Sequence, residues 1–319
     1  SKESASEDEG TPLFPEGELE EIPSWRASLA QAQAQAKRNE GQLLTKNSCE
    51  IVLPHKPTCI MLISDLHIGA PQTDYLGFME HLDLLSKFDN MYCIWQGDVA
   101  EIAVSQRQLD AVLAQVLPPT NQMVIFKQIV KEFSKKSLAA VGGNHEGRVE
   151  RLSGFDIGEY LYESLANEGG AYLKDGGVLF LNVGKESYTW RVTHGDSRFS
   201  SMYNPTHKAA QLARMSFGWC DILSTGHTHE AAVMQMNVPA PDGEPPREVV
   251  ALQAGSYKTK LVDSYAYRKG YAHQIQPEMP AVILFPDKHR ILPFKRVEDA
   301  AVVLEALNRA NEGKEEEDG

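Results

Sequence analysis

Thr58-Cys59-Ile60-Met61-Leu62-Ile63-Ser64-Asp65-Leu66-His67 decides how this chain is read. Six residues without a charge suit a strand buried on both faces, and the strand delivers an Asp and a His two positions apart. On an extended segment residues i and i+2 face the same way, so both side chains could reach one ion. The pattern repeats downstream. Met91–Trp95 is an expected strand ending at Gly97-Asp98, and Leu138–Val141 another ending at Gly142-Gly143-Asn144-His145-Glu146. Helices are expected between them over 74–88, 104–116 and 120–136. In open α/β sheets, sites lie beyond the carboxyl ends of strands.

The second half is richer in strands. Segments 178–183 and 188–192 read as a hairpin leading into Thr193-His194-Gly195. A helix over 206–217 precedes strand 221–224, which leads into Gly226-His227-Thr228-His229. Strands 231–238 and 248–253 are expected to pair across a Pro/Gly-rich loop, strands 281–285 and 290–292 to finish the sheet, and a helix over 297–311 to close the fold. Upstream, residues 1–23 have the composition of a disordered segment. A helix over 24–39 follows, with Lys37 and Arg38 at its negative end and Gly41 after it. It reads as a solvated arm or as a contact helix for a protein partner. The expected division is an N-terminal extension (1–57), a catalytic domain (58–295), and a C-terminal helix with an acidic tail (296–319).

The chain has 319 residues, 42% hydrophobic and 24% charged, with net charge -13. That acidity argues against broad, charge-driven nucleic-acid binding but not against a phosphate substrate, because two divalent ions would dominate the local field. Four scattered cysteines (Cys49, Cys59, Cys93, Cys220) form no CxxC pair and read as buried thiols in a reducing, cytoplasmic setting. No apolar run is long enough to span a membrane.

Five of the 10 histidines fall in the quoted runs, beside two aspartates and one asparagine. Imidazole and carboxylate ligands suit Mn, Fe or Zn. Taken together, the blocks D-x-H, G-D, G-N-H-E, H-G and G-H-T-H over residues 58–255 resemble the calcineurin-like metallophosphoesterases, most nearly phage and bacterial DNA-associated members. The resemblance implies a four-layer α/β/β/α sandwich of two mixed sheets flanked by helices. It implies two divalent ions, Mn favoured, with Fe, Zn, Ni and Mg as alternatives. One ion would be held by Asp65, His67, Asp98 and His229. The other would be held by Asp98, Asn144, His194 and His227, with Asp98 bridging. His145 would stand at the substrate as general acid or transition-state donor, and Arg148 would contact phosphate. Glu101 and Asp196 are candidates to orient a ligand imidazole without binding metal. Where phosphoprotein phosphatases of this superfamily carry Asp-Arg after the Gly-Asp block, this chain has Glu101-Ile102, which weakens that reading.

For substrate, the run from Gly255 to His273 interleaves Tyr257, Tyr265, Tyr267 and Tyr271 with Lys258, Lys260, Arg268 and Lys269. Aromatics can stack bases while cations meet phosphates. Tyr257, Lys258, Tyr265 and Arg268 are therefore candidate substrate contacts, the alternative being tyrosines packed on a sheet edge. The resemblance makes His67 compatible with diesters. The expectation is a phosphodiesterase acting on nucleic acid or nucleotide. The alternatives are a phosphomonoesterase or pyrophosphatase and, more remotely, a non-catalytic scaffold.

Overall fold

The computed structural model describes residues 25–104, 109–195, 206–207, 210–211, 219–239, 245–259 and 276–317. The chain divides into two units, residues 1–45 and 46–319. Helix α1 spans Trp25–Lys46 and so runs through Gly41. One glycine costs a helix only about 1 kcal/mol, and Gln42-Leu43-Leu44 are good helix formers on its far side.

The second unit is an α/β sandwich of two mixed six-stranded sheets with flanking helices. In one sheet β2 (Thr58–Ile63), β3 (Met91–Gln96), β4 (Ser137–Val141) and β5 (Ala171–Tyr172) run parallel. β11 (Ala281–Leu284) and β12 (Ile291–Phe294) continue antiparallel from β2. The other sheet holds, in spatial order, β1 (Ser48–Leu53), β6 (Gly177–Val183), β7 (Glu186–Val192), β8 (Ile222–Thr225), β10 (Arg247–Gln253) and β9 (Ala232–Val238).

The period of two explains why β2 carries no polar face. Ile60 and Leu62 join Leu181, Trp190, Ile222 and Leu252 in the core between the sheets. Cys59, Met61 and Ile63 face the other way. There they meet side chains of α2 (Tyr75–Lys87), α4 (Pro119–Glu132), α6 (Ile157–Leu161) and α7 (Val297–Glu317). Each such side chain contributes about 1.5–3 kcal/mol on burial. The indoles of Trp95 and Trp190 are fully buried, and each donates from Nε1, to Ser137 Oγ at 2.8 Å and to Ser224 Oγ at 2.9 Å.

The second unit's sheets take in residues before 58, where β1 pairs in parallel with β6 from Ser48↔Val178 to Leu53↔Val183. Past 295, Val297, Ala300 and Leu304 of α7 are buried in the helix-side core. Several expectations are corrected. Of the helix expected over 104–116, the described part is α3 (Leu109–Ala114), and α4 gives way to a 3-10 turn at Ser134–Lys136. The helix expected over 206–217 lies mostly outside the described residues.

Far from the strand ends that carry the ligands, a charged cluster ties the two sheets together. Asp221, just before β8, accepts from Thr189 N and Oγ1 (both 2.7 Å) and Arg247 Nη2 (2.7 Å). His289, between β11 and β12, lies 3.3 Å from Asp221 through Nε2 and 3.7 Å from Glu186 through Nδ1, and stacks on Tyr188. The Asp221 contact raises the His289 pKa, against burial and Arg247. A raised folded pKa stabilises fully below the unfolded value and is lost as pH rises through the folded one. Wild type should therefore lose melting temperature relative to His289→Gln as pH rises above the ordinary imidazole value of about 6.5. Thermal melts of both proteins check this, and parallel curves would refute it.

Candidate metal centre

Every ligand-type residue sits just past a strand: Asp65 and His67 after β2, Asp98 after β3, Asn144 after β4, His194 after β7, His227 and His229 after β8. Both sheets thus contribute. The local backbone differs from the expected extended i, i+2 pairing. Asp65 (φ 48), His67 (φ 49), Asp98 (φ 50), His227 (φ 75) and His229 (φ 62) are all left-handed. Only Ile102 and Lys174 join them among the described non-glycine residues. Such backbone costs of order 1–3 kcal/mol per residue and persists where its surroundings demand it. Sharp turns, rather than strand alternation, aim these side chains inward.

Asp65, His67 and His229 form one donor set, with ligand atoms within 4.8 Å of one another. His67 Nε2 and His229 Nε2 are 3.3 Å apart, and Asp65 Oδ1 lies 3.1 Å from His229 Nε2 and 3.8 Å from His67 Nε2. Donors around a cation with bonds of about 2.1 Å stand about 3.0–3.4 Å apart. Asp65 Oδ2 is already engaged, by Ser64 Oγ at 2.6 Å and His227 N at 3.0 Å, whereas buried Oδ1 receives no hydrogen bond. An orphaned carboxylate oxygen between two imidazole nitrogens fits a cation.

Asp98, His194 and His227 form a second set, and Asp98 also falls within 4.8 Å of His67 and His145. Asp98 Oδ1 accepts from His145 N at 2.8 Å, while Oδ2 faces His194 Nε2 at 3.2 Å. His194 Nδ1 meets the carbonyl of Gln96 at 2.6 Å, which places its proton there and leaves Nε2 as the ligand atom. The Asn144 amide oxygen lies 2.9 Å from Asp98 Oδ2 and 2.7 Å from His227 Nδ1, while its nitrogen lies 2.9 Å from Arg148 Nη2. Without ions, that amide is satisfied only when turned over. Either way round, Asn144 stands between Asp98 and His227 on one side and Arg148 on the other.

Electrostatics agree. Burial opposes ionisation of Asp65 and Asp98, but the surrounding imidazoles, His194 foremost, hold both carboxyls well below the usual range. Conversely, burial pushes His194 down, and Asp98 and Asp65 outweigh it, lifting the imidazole to about 10. The buried carboxylates thus demand positive charge, which a divalent ion supplies in place of protons. Glu101 is likewise lowered against burial, chiefly by His67; its Oε2 stands 3.0 Å from His67 Nδ1 and accepts from Lys258 Nζ at 2.7 Å. Burial, then the neighbouring His67, pushes His145 down to about 4. Its Nδ1 is held by the Glu101 carbonyl and its Nε2 lies 3.2 Å from Arg148 Nη1. That cation at Nε2 sets His145 apart from the metal donors.

Two glycines are required by close approach. A Cβ at Gly97, whose φ is +82, would stand 2.7 Å from His194 Nδ1, and one at Gly143 would stand 2.2 Å from Asp98 N.

The site also uses residues that the motif reading passed over. Glu146 accepts from Gly143 N (2.9 Å), Asp98 N (3.1 Å) and Val99 N (3.0 Å). Buried Gln122 accepts from Ile102 N at 2.9 Å and so holds the loop after Glu101. Glu146 stood inside the quoted G-N-H-E run; Gln122 had no sequence signal. Tyr257 is corrected: it is fully buried against Phe78, its hydroxyl 2.8 Å from His81 Nδ1, so it cannot stack a base. Asp196, Tyr265 and Arg268 lie outside the described residues.

No protein-family model and no curated protein sequence matches this chain. Among solved structures, vacuolar protein sorting 29 from Cryptosporidium parvum is 18% identical, covering 76% of this chain and 100% of its own, with TM-score 0.38. Calcineurin-like phosphoesterase YfkN from Bacillus subtilis is 12% identical over 72% of this chain and 85% of its own, at 0.32. Nuclease MPE from Pseudomonas putida is 12% identical over 74% and 87%, at 0.31. At these identities and scores the likenesses say nothing of activity. Among the described residues, no helix is long and apolar enough to cross a membrane.

Proposed function

We propose that this chain is a dinuclear metal-dependent phosphoester hydrolase of the calcineurin-like type, acting on a phosphodiester, with nucleic acid or a nucleotide as the favoured substrate class. The observation that carries the proposal is the orphaned, buried Asp65 Oδ1, which faces His67 Nε2 and His229 Nε2 beside a second donor set of Asp98, His194 and His227. Asp65, His67, Asp98 and His229 would hold one divalent ion, and Asp98, Asn144, His194 and His227 the other, Mn favoured. When bound, the pair supplies Lewis acidity that activates water and offsets charge on phosphorus.

The remaining chemistry belongs to the chain. Arg148 would donate towards a non-bridging phosphoryl oxygen, strengthening as charge develops there. His145 donates from Nδ1 to the Glu101 carbonyl, so its Nε2 beside Arg148 is an acceptor in the neutral ring and would serve a leaving oxygen as an acid only after taking up a proton there. Glu101 Oε2, 3.0 Å from His67 Nδ1, would orient that imidazole with Nε2 towards the metal. Lys258 adds a second positive charge at the His67 side, although its pairing with Glu101 favours an orienting role. Four free thiols, three of them buried, suit a reducing cytoplasmic setting.

The test compares bis(p-nitrophenyl) phosphate with p-nitrophenyl phosphate on Mn-loaded protein, with labelled single- and double-stranded DNA in parallel. Faster diester turnover with DNA cleavage is expected. Monoester preference with intact DNA would move the substrate to phosphorylated metabolites or proteins. Two bound metals without turnover on any ester would favour a scaffold.

A further inference from the structure

Helix α5 (Asn144–Ser153) begins at a ligand, and its third residue is an acid with an unusual set of partners. Glu146 is 3% exposed, and its carboxylate spends both oxygens on backbone N–H groups. Oε2 reaches back to Gly143 N at 2.9 Å, as an acid at the third helical position often does. The same oxygen accepts from Asp98 N at 3.1 Å, and Oε1 accepts from Val99 N at 3.0 Å. One side chain therefore clamps the turn after β3 to the turn after β4. Those two turns carry Asp98 and Asn144.

The junction it closes is tight. A Cβ on Gly143 would meet Asp98 N and Asp98 Oδ1 at 2.2 Å each, so the two backbones run in contact. A reciprocal bond crosses the same gap, from His145 N to Asp98 Oδ1 at 2.8 Å. Asp98 is thus fixed at both ends by α5: its amide by Glu146, its Oδ1 by the His145 amide. Only Oδ2 remains, and it faces His194 and Asn144. Asp98 itself is left-handed at φ 50, a conformation that relaxes unless something holds it.

We infer that Glu146 is a positioning residue of the metal centre: it sets the distance between the shared ligand Asp98 and the second-site ligand Asn144, and so the affinity of the second ion. This rests on the two-metal reading above. The chemistry requires a carboxylate. Three N–H donors converge on two acceptor oxygens. Glutamine keeps the length and shape but offers one oxygen, so its NH2 group faces at least one N–H donor, leaving both unsatisfied in a buried junction. Aspartate keeps both oxygens but falls one methylene short of the Asp98 turn.

The experiment is calorimetric titration of metal-free protein with Mn, paired with low-temperature electron paramagnetic resonance of the loaded forms. Wild type should take up two ions and show an exchange-coupled pair. Glu146→Gln should weaken the second binding step by about 10- to 100-fold, the usual effect of losing a ligand's supporting partner, and show mostly uncoupled Mn at stoichiometric loading. Its diester turnover should recover as Mn is raised, a response that a purely structural lesion would not give. Glu146→Asp is the second variant, in case the amide fails to fold, and should show the same metal dependence in milder form. Wild-type affinities and a wild-type coupled spectrum in whichever variant folds would overturn the inference. So would a variant that loses melting temperature with no change in metal binding. If wild type itself bound no second ion, the two-metal reading would be what failed.

Discussion

Asp98→Asn should strip the protein of both ions and cut diester turnover by at least about 10²–10³-fold, the size of loss that follows removal of one key electrostatic group from an active site. The reason is local. Asp98 links the two donor sets: it groups with His194 and His227 on one side and with His67 and His145 on the other. Asparagine can keep an oxygen for the His145 amide, which holds Asp98 Oδ1 at 2.8 Å. It then turns an NH2 group towards His194 Nε2 and the Asn144 oxygen, where the metals need an oxygen. Negative charge is lost as well, and with it much of the pull on a divalent ion. Metal analysis after Mn loading and desalting is the check, with circular dichroism to confirm folding. A variant retaining two ions per chain would show that Asp98 does not bridge.

The parts of this site that the sequence displayed were those with a chemical signature. Aspartates and histidines after apolar runs could be read because β2, β3 and β4 are buried on nearly every residue and so stand out as continuous runs. The geometric reason first given for Asp65 and His67 did not survive, since both are left-handed rather than extended; composition cannot report a φ. Two edge strands, β1 and β5, were missed for a physical reason too. β1 turns Cys49, Ile51 and Leu53 inward, but exposed Val52 between two apolar residues blurs the alternation in the sequence, and β5 is only two residues long. Tyr257 misled in the opposite direction. Its cationic neighbours suggested a binding face, but Phe78 and His81 enclose it, and only long-range packing decides that. Buried polar supports such as Gln96 and Gln122 look like surface residues in a sequence, because their value lies in backbone groups they satisfy many positions away.

His145→Ala should leave two ions bound while turnover falls by about 10²–10⁴-fold, the range expected when a positioned proton donor is removed. Alanine retains the backbone N–H that holds Asp98 Oδ1, so the metal ligands lose nothing directly. What disappears is the imidazole between the Glu101 carbonyl and Arg148. The size of the loss should depend on the leaving group. A nitrophenolate departs as a stable anion and needs little protonation, whereas the alkoxide of a sugar hydroxyl needs a proton as its bond to phosphorus breaks. The variant should therefore lose more on an oligonucleotide than on bis(p-nitrophenyl) phosphate, under conditions where both assays report the chemical step. Equal losses would mean that His145 acts by holding Arg148 and the site in shape, and Arg148→Ala would then reproduce the defect. Unchanged turnover on both esters would remove His145 from the chemistry altogether and leave its contact with Glu101 as a structural bond.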